Sequence, residues 1–178
     1  NELARKFIIT DGHIDTPWKL SKNYEDISLR TKTGDFDYVR AKKGGLDVPF
    51  MAIYIPSSYI ETGGAKEKAD SLIDMVEQIA NKDPDKFEIA YSLEDANRIF
   101  KEGKIALPMG MENGAGIEND INNLKHFYDR GIRYITLTHS KDNLICDSSY
   151  DEEEDTWGGL SPYGKKVVKE MNLSLIHI

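Results

Sequence analysis

Short apolar runs alternate with segments of helical period along this chain, and that alternation restricts the fold more than any single residue does. Phe7-Ile8-Ile9 reads as a buried strand running into the polar end Thr10 to Asp15. Gly44-Gly45 leads into a second strand, Leu46 to Pro56, stopped by proline. From Lys66 onward Ala69, Leu72, Ile73, Val76, Ile79 and Ala80 recur at helical spacing, and Asp83-Pro84 should end that helix. Ser92 with Asp95 three residues on is a capping-box signal for a helix through Phe100. Ile105 to Met111 reads as a third strand. Ile117, Ile121, Leu124 and Tyr128 then share one helical face ended by Gly131. Arg133 to Thr138 reads as a fourth strand, and Ser161-Pro162 starts a helix carrying Tyr163, Val167, Val168 and Met171. The polar stretch Lys19 to Lys43 reads as a long loop with room for a short helix.

Strand–helix alternation implies a parallel sheet, and continuous apolar strands imply one covered on both faces. Periodicity alone is equally met by an open, doubly wound sheet. A (β/α)8 barrel needs about 250 residues. Four strand–helix units in 178 residues therefore amount to half a barrel with long loops. No apolar run approaches the roughly 20 residues that cross a bilayer. The net charge of −8 argues against nucleic acid or an anionic membrane as partner, since both call for basic patches. Cys146 is the single cysteine, so no internal disulfide forms.

Chemistry-bearing side chains collect where the strands end. His13 and Asp15 stand two apart, a spacing that puts both side chains on one face of a strand. Nitrogen and oxygen donors of this kind suit zinc or a similar divalent ion. Glu112 closes the third strand in Gly110-Met111-Glu112-Asn113-Gly114, and His139 follows the fourth in Thr138-His139-Ser140. If the strands are parallel neighbours, the four groups meet on one rim, where α/β enzymes carry their chemistry. A carboxylate can bridge two cations, and an imidazole can ligate metal or donate to an oxyanion. The plainer alternatives are a loop carboxylate for Glu112 and a strand-end cap for His139.

Other signals are weaker. Gly110 to Gly116 is glycine-rich, but no Gly-Lys-Ser/Thr follows, and Gly63-Gly64-Ala65-Lys66 fails the same test for a phosphate loop. The acidic run Asp151 to Asp155 reads as a solvated loop, and His126 as an exposed helix residue. Cys146 has no aligned base in the sequence, Trp18 and Trp157 suit rim or core packing, and Asn172-Leu173-Ser174 matches a glycosylation sequon.

The segments Asp11 to Trp18, Gly44-Gly45 with its strand, Met111 to Gly114, Gly131 to His139, Gly159 to Gly164 and Val167 to Asn172 stand in a specific order. In that order the chain resembles the membrane dipeptidase (renal dipeptidase-like) family of zinc peptidases, among the amidohydrolase-type barrels. The resemblance implies a (β/α)8 barrel with two zinc ions. His13 and Asp15 would bind the first ion, Glu112 would bridge both, and His139 would sit over the substrate and steady the tetrahedral intermediate. The implied reaction is attack of a metal-bridging hydroxide on the peptide bond of a dipeptide, including one with a C-terminal D-residue.

The resemblance stops after Asn172. The second ion's histidines, an arginine for the substrate carboxylate and an acidic residue for proton transfer would all lie further on, and His177 does not match their spacing. The expectation is that residues 1–178 form the N-terminal part of one metallo-dipeptidase barrel domain, inactive alone, with both ends cut. A related amide or ester hydrolase, or a non-catalytic barrel piece, are the alternatives. The expected partner is a small dipeptide, with a homodimer as the default assembly. No membrane anchor is visible, and the resemblance favours an exported enzyme over a cytoplasmic one.

Overall fold

The computed structural model describes residues 3–151 and 155–174. Glu152, Glu153 and Glu154 of the acidic run, and His177, lie outside the described residues. In chain order the elements are α1 (Leu3–Lys6), β1 (Thr10–Ile14), α2 (Thr16–Lys22), α3 (Tyr38–Gly44), β2 (Val48–Tyr54) and α4 (Ser58–Thr62). They continue with α5 (Ala65–Lys82), β3 (Phe87–Ile89), α6 (Leu93–Lys101), β4 (Ile105–Leu107) and β5 (Met109–Glu112). A 3-10 turn (Gly114–Ile117), α7 (Asn122–Asp129), β6 (Ile132–Thr136) and α8 (Pro162–Ser174) complete the order. The chain divides into two compact units, Asn1–Ala52 with Leu72–Met109, and Ile53–Ser71 with Gly110–Ile178.

In the first unit β1 pairs in parallel with β2, Thr10 opposite Val48 and Asp11 opposite Pro49, with a register shift before Ile14 meets Met51. β1 starts three residues later than the apolar pattern predicts. Asp47 explains the delay, because its carboxylate accepts the Ile9 N–H while the Ile9 carbonyl accepts from Asp47 and Val48. Phe7 and Ile9 are left exposed, and most of β1 with them, rather than buried. The apolar run Ile105 to Met111 is two strands, broken at Pro108, which has no N–H for a ladder. β4 pairs in parallel with β3, an element the sequence pattern did not reveal. α6 starts at the predicted capping box: Ser92 accepts the Asp95 N–H, and Asp95 accepts from the Tyr91 N–H and the Ser92 hydroxyl. Its Ile99 is buried with Val48, Ala90 and Ala106 in one apolar cluster.

The expected long loop holds two short helices, α2 and α3, instead of one. What orders the stretch between them is Asp37, a fully buried carboxylate at the N-cap of α3. It accepts the Arg40 N–H and side chain at 2.8 Å each, and the Thr31 N–H at 3.1 Å. A buried carboxylate is tolerable only with such a complement of donors.

In the second unit the Ile55 N–H just past β2 donates to the Glu112 carbonyl at 3.0 Å. α7 packs on β6 and on α8, with Leu124, Phe127, Ile132, Ile135, Val167 and Met171 fully buried. The helix expected from Ile117 starts only at Asn122, because Ile117 closes the 3-10 turn and Glu118 takes a φ of 53°. α8 comes so close to the segment before it that a Cβ on Gly164 would run into the Ile145 carbonyl. The fold class is α/β with parallel strands. No helix among the described residues is long and apolar enough to cross a membrane.

Candidate active site

In the first unit, β1 delivers His13 to its penultimate position, and its N–H donates to Asp11 at 3.0 Å. Asp15 is not on the strand. It takes the N-cap position of α2, yet its carboxylate makes no capping bond to the helix. The His13 Nε2 and an Asp15 oxygen lie 3.5 Å apart, both side chains open to solvent. This is an adjacent imidazole nitrogen and carboxylate oxygen held by a turn, the donor set a borderline divalent cation prefers. Beside Asp15 opens a pocket of about 290 Å3, whose polar lining includes Lys19, Glu25, Thr31 and Thr33.

In the second unit, Glu112 is the last residue of β5, and His139 lies three residues past the end of β6. The His139 Nε2 is 3.3 Å from a Glu112 oxygen, with the carboxylate mostly covered and the imidazole partly open. The imidazole stands edge-on to Tyr54 at the end of β2, ring centroids 5.1 Å apart at 66°. Its Nδ1 is buried with no hydrogen-bond partner. The buried Ser148 donates its hydroxyl to the His139 carbonyl at 2.6 Å and its N–H to Asp142 at 2.7 Å, which ties the loop around the histidine. An Nε2 beside a carboxylate can carry a proton and donate it toward a charge developing on a substrate oxygen.

The structure thus brings His13 to Asp15 and Glu112 to His139. Sequence reading missed Tyr54, Ser148 and the buried Asn113 and Asn143. Only Asn113-Gly114, a turn dipeptide, carried a local signal. His126 differs from expectation: it is half-buried, with its Nε2 2.7 Å from Asp70. Cys146 is half-buried, and burial pushes its thiol up, away from a reactive thiolate. Trp18 lies under the Lys22 ammonium, and Trp157 donates its indole N–H to the Asn143 carbonyl.

In each unit an imidazole and a carboxylate stand at or just past strand ends, the position where α/β enzymes, barrels among them, carry their chemistry. The chain belongs to the membrane dipeptidase family, peptidase family M19, whose model matches residues 1–176. An uncharacterised dipeptidase of Schizosaccharomyces pombe is 33% identical over 93% of this chain and 44% of its own length. Dipeptidase 3 of Mus musculus is 29% identical over 96% of this chain and 35% of its own length. The crystal structure of a probable dipeptidase from Pseudomonas aeruginosa superposes with a TM-score of 0.82 at 26% identity, over 97% of this chain and 46% of that one. A metallopeptidase from Rhodobacter sphaeroides, solved with a phosphinate mimic of L-Ala-D-Ala, superposes at 0.81 with 21% identity, over 96% of this chain and 57% of that one, a likeness of fold. The chain spans less than half the length of these curated relatives, 44% and 35%. The barrel reading of the alternation therefore stands, with about half of a (β/α)8 barrel in this chain.

Proposed function

We propose that this chain serves a zinc-dependent dipeptidase, of which it forms the amino-terminal part of a single barrel domain. The family match over residues 1–176 carries the reading. The mimic bound to the Rhodobacter sphaeroides relative supports a dipeptide with a C-terminal D-residue as substrate. On the family resemblance, His13, Asp15 and Glu112 would be the residues that hold the metal. The open His13–Asp15 pair fits such a group by its donors, one imidazole nitrogen and one carboxylate oxygen. When bound, the ions supply Lewis-acid polarisation of the peptide carbonyl and a lowered pKa for water.

His139 acts on the substrate itself. Its Nε2 N–H donates to the carbonyl oxygen as charge builds there, a contribution of about 3 kcal/mol for one such donor. Tyr54 against the ring and Ser148 on the carbonyl hold the imidazole in place, so little reorganisation accompanies the step. Protonation of the leaving amine falls, on the family resemblance, to an acidic residue further along the barrel. A homodimer, as the commonest default assembly, and export from the cytoplasm, on family resemblance, complete the proposal.

The test is metal-dependent hydrolysis of L-Ala-D-Ala by the full-length protein and by its Glu112→Gln variant. Turnover lost in the variant together with one ion supports the reading. Zinc bound without turnover in either protein moves the assignment to another amide or ester.

A further inference from the structure

Behind Glu112 lies a polar device that the proposed chemistry does not use. Asn113 is fully buried and Asn143 nearly so, and the Asn143 side chain donates to the Asn113 amide oxygen at 3.2 Å. Two buried amides in contact are costly unless each polar group is matched, and these are matched by main chain. The Asn113 NH2 donates to the Ile55 carbonyl at the end of β2, 2.9 Å away. Its oxygen also accepts the Ala115 N–H at 3.1 Å, and its own N–H donates to the Thr136 hydroxyl on β6 at 3.0 Å. The Asn143 NH2 donates to the Leu137 carbonyl at 2.8 Å, and its oxygen accepts the Ile145 and Cys146 N–H groups. The ends of β2, β5 and β6 are thus tied to one another through two side chains.

Asn113 also sits at φ 79° and ψ 105°, a region a side-chain-bearing residue enters only when its surroundings hold it there. That conformation turns the Asn113 side chain into the protein directly after Glu112 ends the strand. Tyr54, which packs on His139, precedes Ile55, and Leu137 stands two residues before His139. The bonds to Ile55 and Leu137 therefore fix backbone close to Tyr54 and His139, while Asn113 itself follows Glu112.

We propose that the Asn113–Asn143 amide pair is a positioning device that sets the distance between the Glu112 carboxylate and the His139 imidazole. The inference rests on the dipeptidase reading for its effect on rate, and on geometry alone for its effect on the imidazole. One isosteric change and one that respects the backbone conformation test it. Asn143→Asp keeps the acceptor for Ile145 and Cys146 but cannot donate to Leu137 or Asn113. Asn113→Gly keeps the backbone conformation and removes every side-chain bond.

The experiment measures kcat and KM of the full-length protein on L-Ala-D-Ala. It also records the His139 ring 15N shifts of the metal-free protein, for parent, both single variants and the double variant. Each single change is expected to lower kcat by about 10- to 100-fold, the range for groups that orient a site carboxylate, with KM within about twofold. The double variant should lose no more than the worse single, because the pair works as one unit. The ring shifts should move in every variant. Losses in kcat that multiply, or rates and ring shifts equal to the parent's, overturn the proposal. A parent without turnover whose ring shifts still respond to both changes upholds the positioning device and removes the dipeptidase reading instead.

Discussion

Asp37 offers a quantitative test of how the segment after β1 is held. Burial pushes its carboxyl up, but the N–H of Arg40, the N–H of Thr31 and the Arg40 and Thr31 side chains more than offset this and hold it at about 2, against an ordinary 3.8. At about 1.4 kcal/mol per unit, that depression contributes about 2 kcal/mol to folding above the ordinary value. The sign follows from the depressed pKa: the contribution is complete above about pH 4 and drains away as acid titrates the group toward pH 2. Asp37→Asn retains one acceptor, so its NH2 must face the Arg40 and Thr31 donors. With Arg40 itself a quarter exposed, the expected cost at neutral pH is about 3 kcal/mol. The assay is amide hydrogen exchange at Arg40 and Ala41, whose N–H groups bond the Asp37 side chain and carbonyl. Protection should fall about a hundredfold in the variant at neutral pH, and the gap should close to a few-fold near pH 2. Equal protection in the two proteins, or a gap that acid leaves unchanged, refutes the account of Asp37 as an ionised clamp.

Two further outcomes follow from packing. Gly110→Ala puts a methyl group into the Tyr134 ring across β5 and β6, and urea denaturation should show a loss of about 2–3 kcal/mol, partly recovered when Tyr134 is replaced by Val. Burial, only partly offset by a bond from Thr138, should make the Cys146 thiol react with iodoacetamide at pH 8 at least about tenfold more slowly than free cysteine, with urea abolishing the difference.

What the sequence revealed was what short-range patterns encode. α5 declares itself by apolar period and α6 by Ser92 and Asp95, and both begin within a residue of expectation. β3 did not, because three residues of mixed polarity carry no period and are strand only through their pairing with β4. The break at Pro108 was written in the sequence, yet an apolar run on both sides masked it. At the candidate site, strand-end position singled out His13, Asp15, Glu112 and His139, and the structure sets the first two side by side and the last two side by side. Their supports were not singled out: Tyr54 meets the His139 ring from 85 residues away, Asn143 meets Asn113 from 30 residues away, and Ser148 lies in a loop without periodic pattern. His126 shows the same limit: its exposure was decided by Asp70, 56 residues away.

The buried Asn113 also bears on how long such a protein lasts. Asn-Gly is the dipeptide most prone to spontaneous deamidation, in which the glycine nitrogen attacks the asparagine side-chain carbonyl, expels ammonia and closes a succinimide. Here the Gly114 N–H is engaged by the Leu137 carbonyl, and the buried Asn113 amide is held by Ile55, Ala115 and Asn143. Folding thereby shields the bond from chemical ageing. A molecule that unfolds loses the shield, and once Asn113 has become aspartate it can no longer donate to Ile55. Each excursion from the native state thus carries a risk of permanent damage next to Glu112, and the working lifetime of the site becomes a measure of how rarely this unit opens.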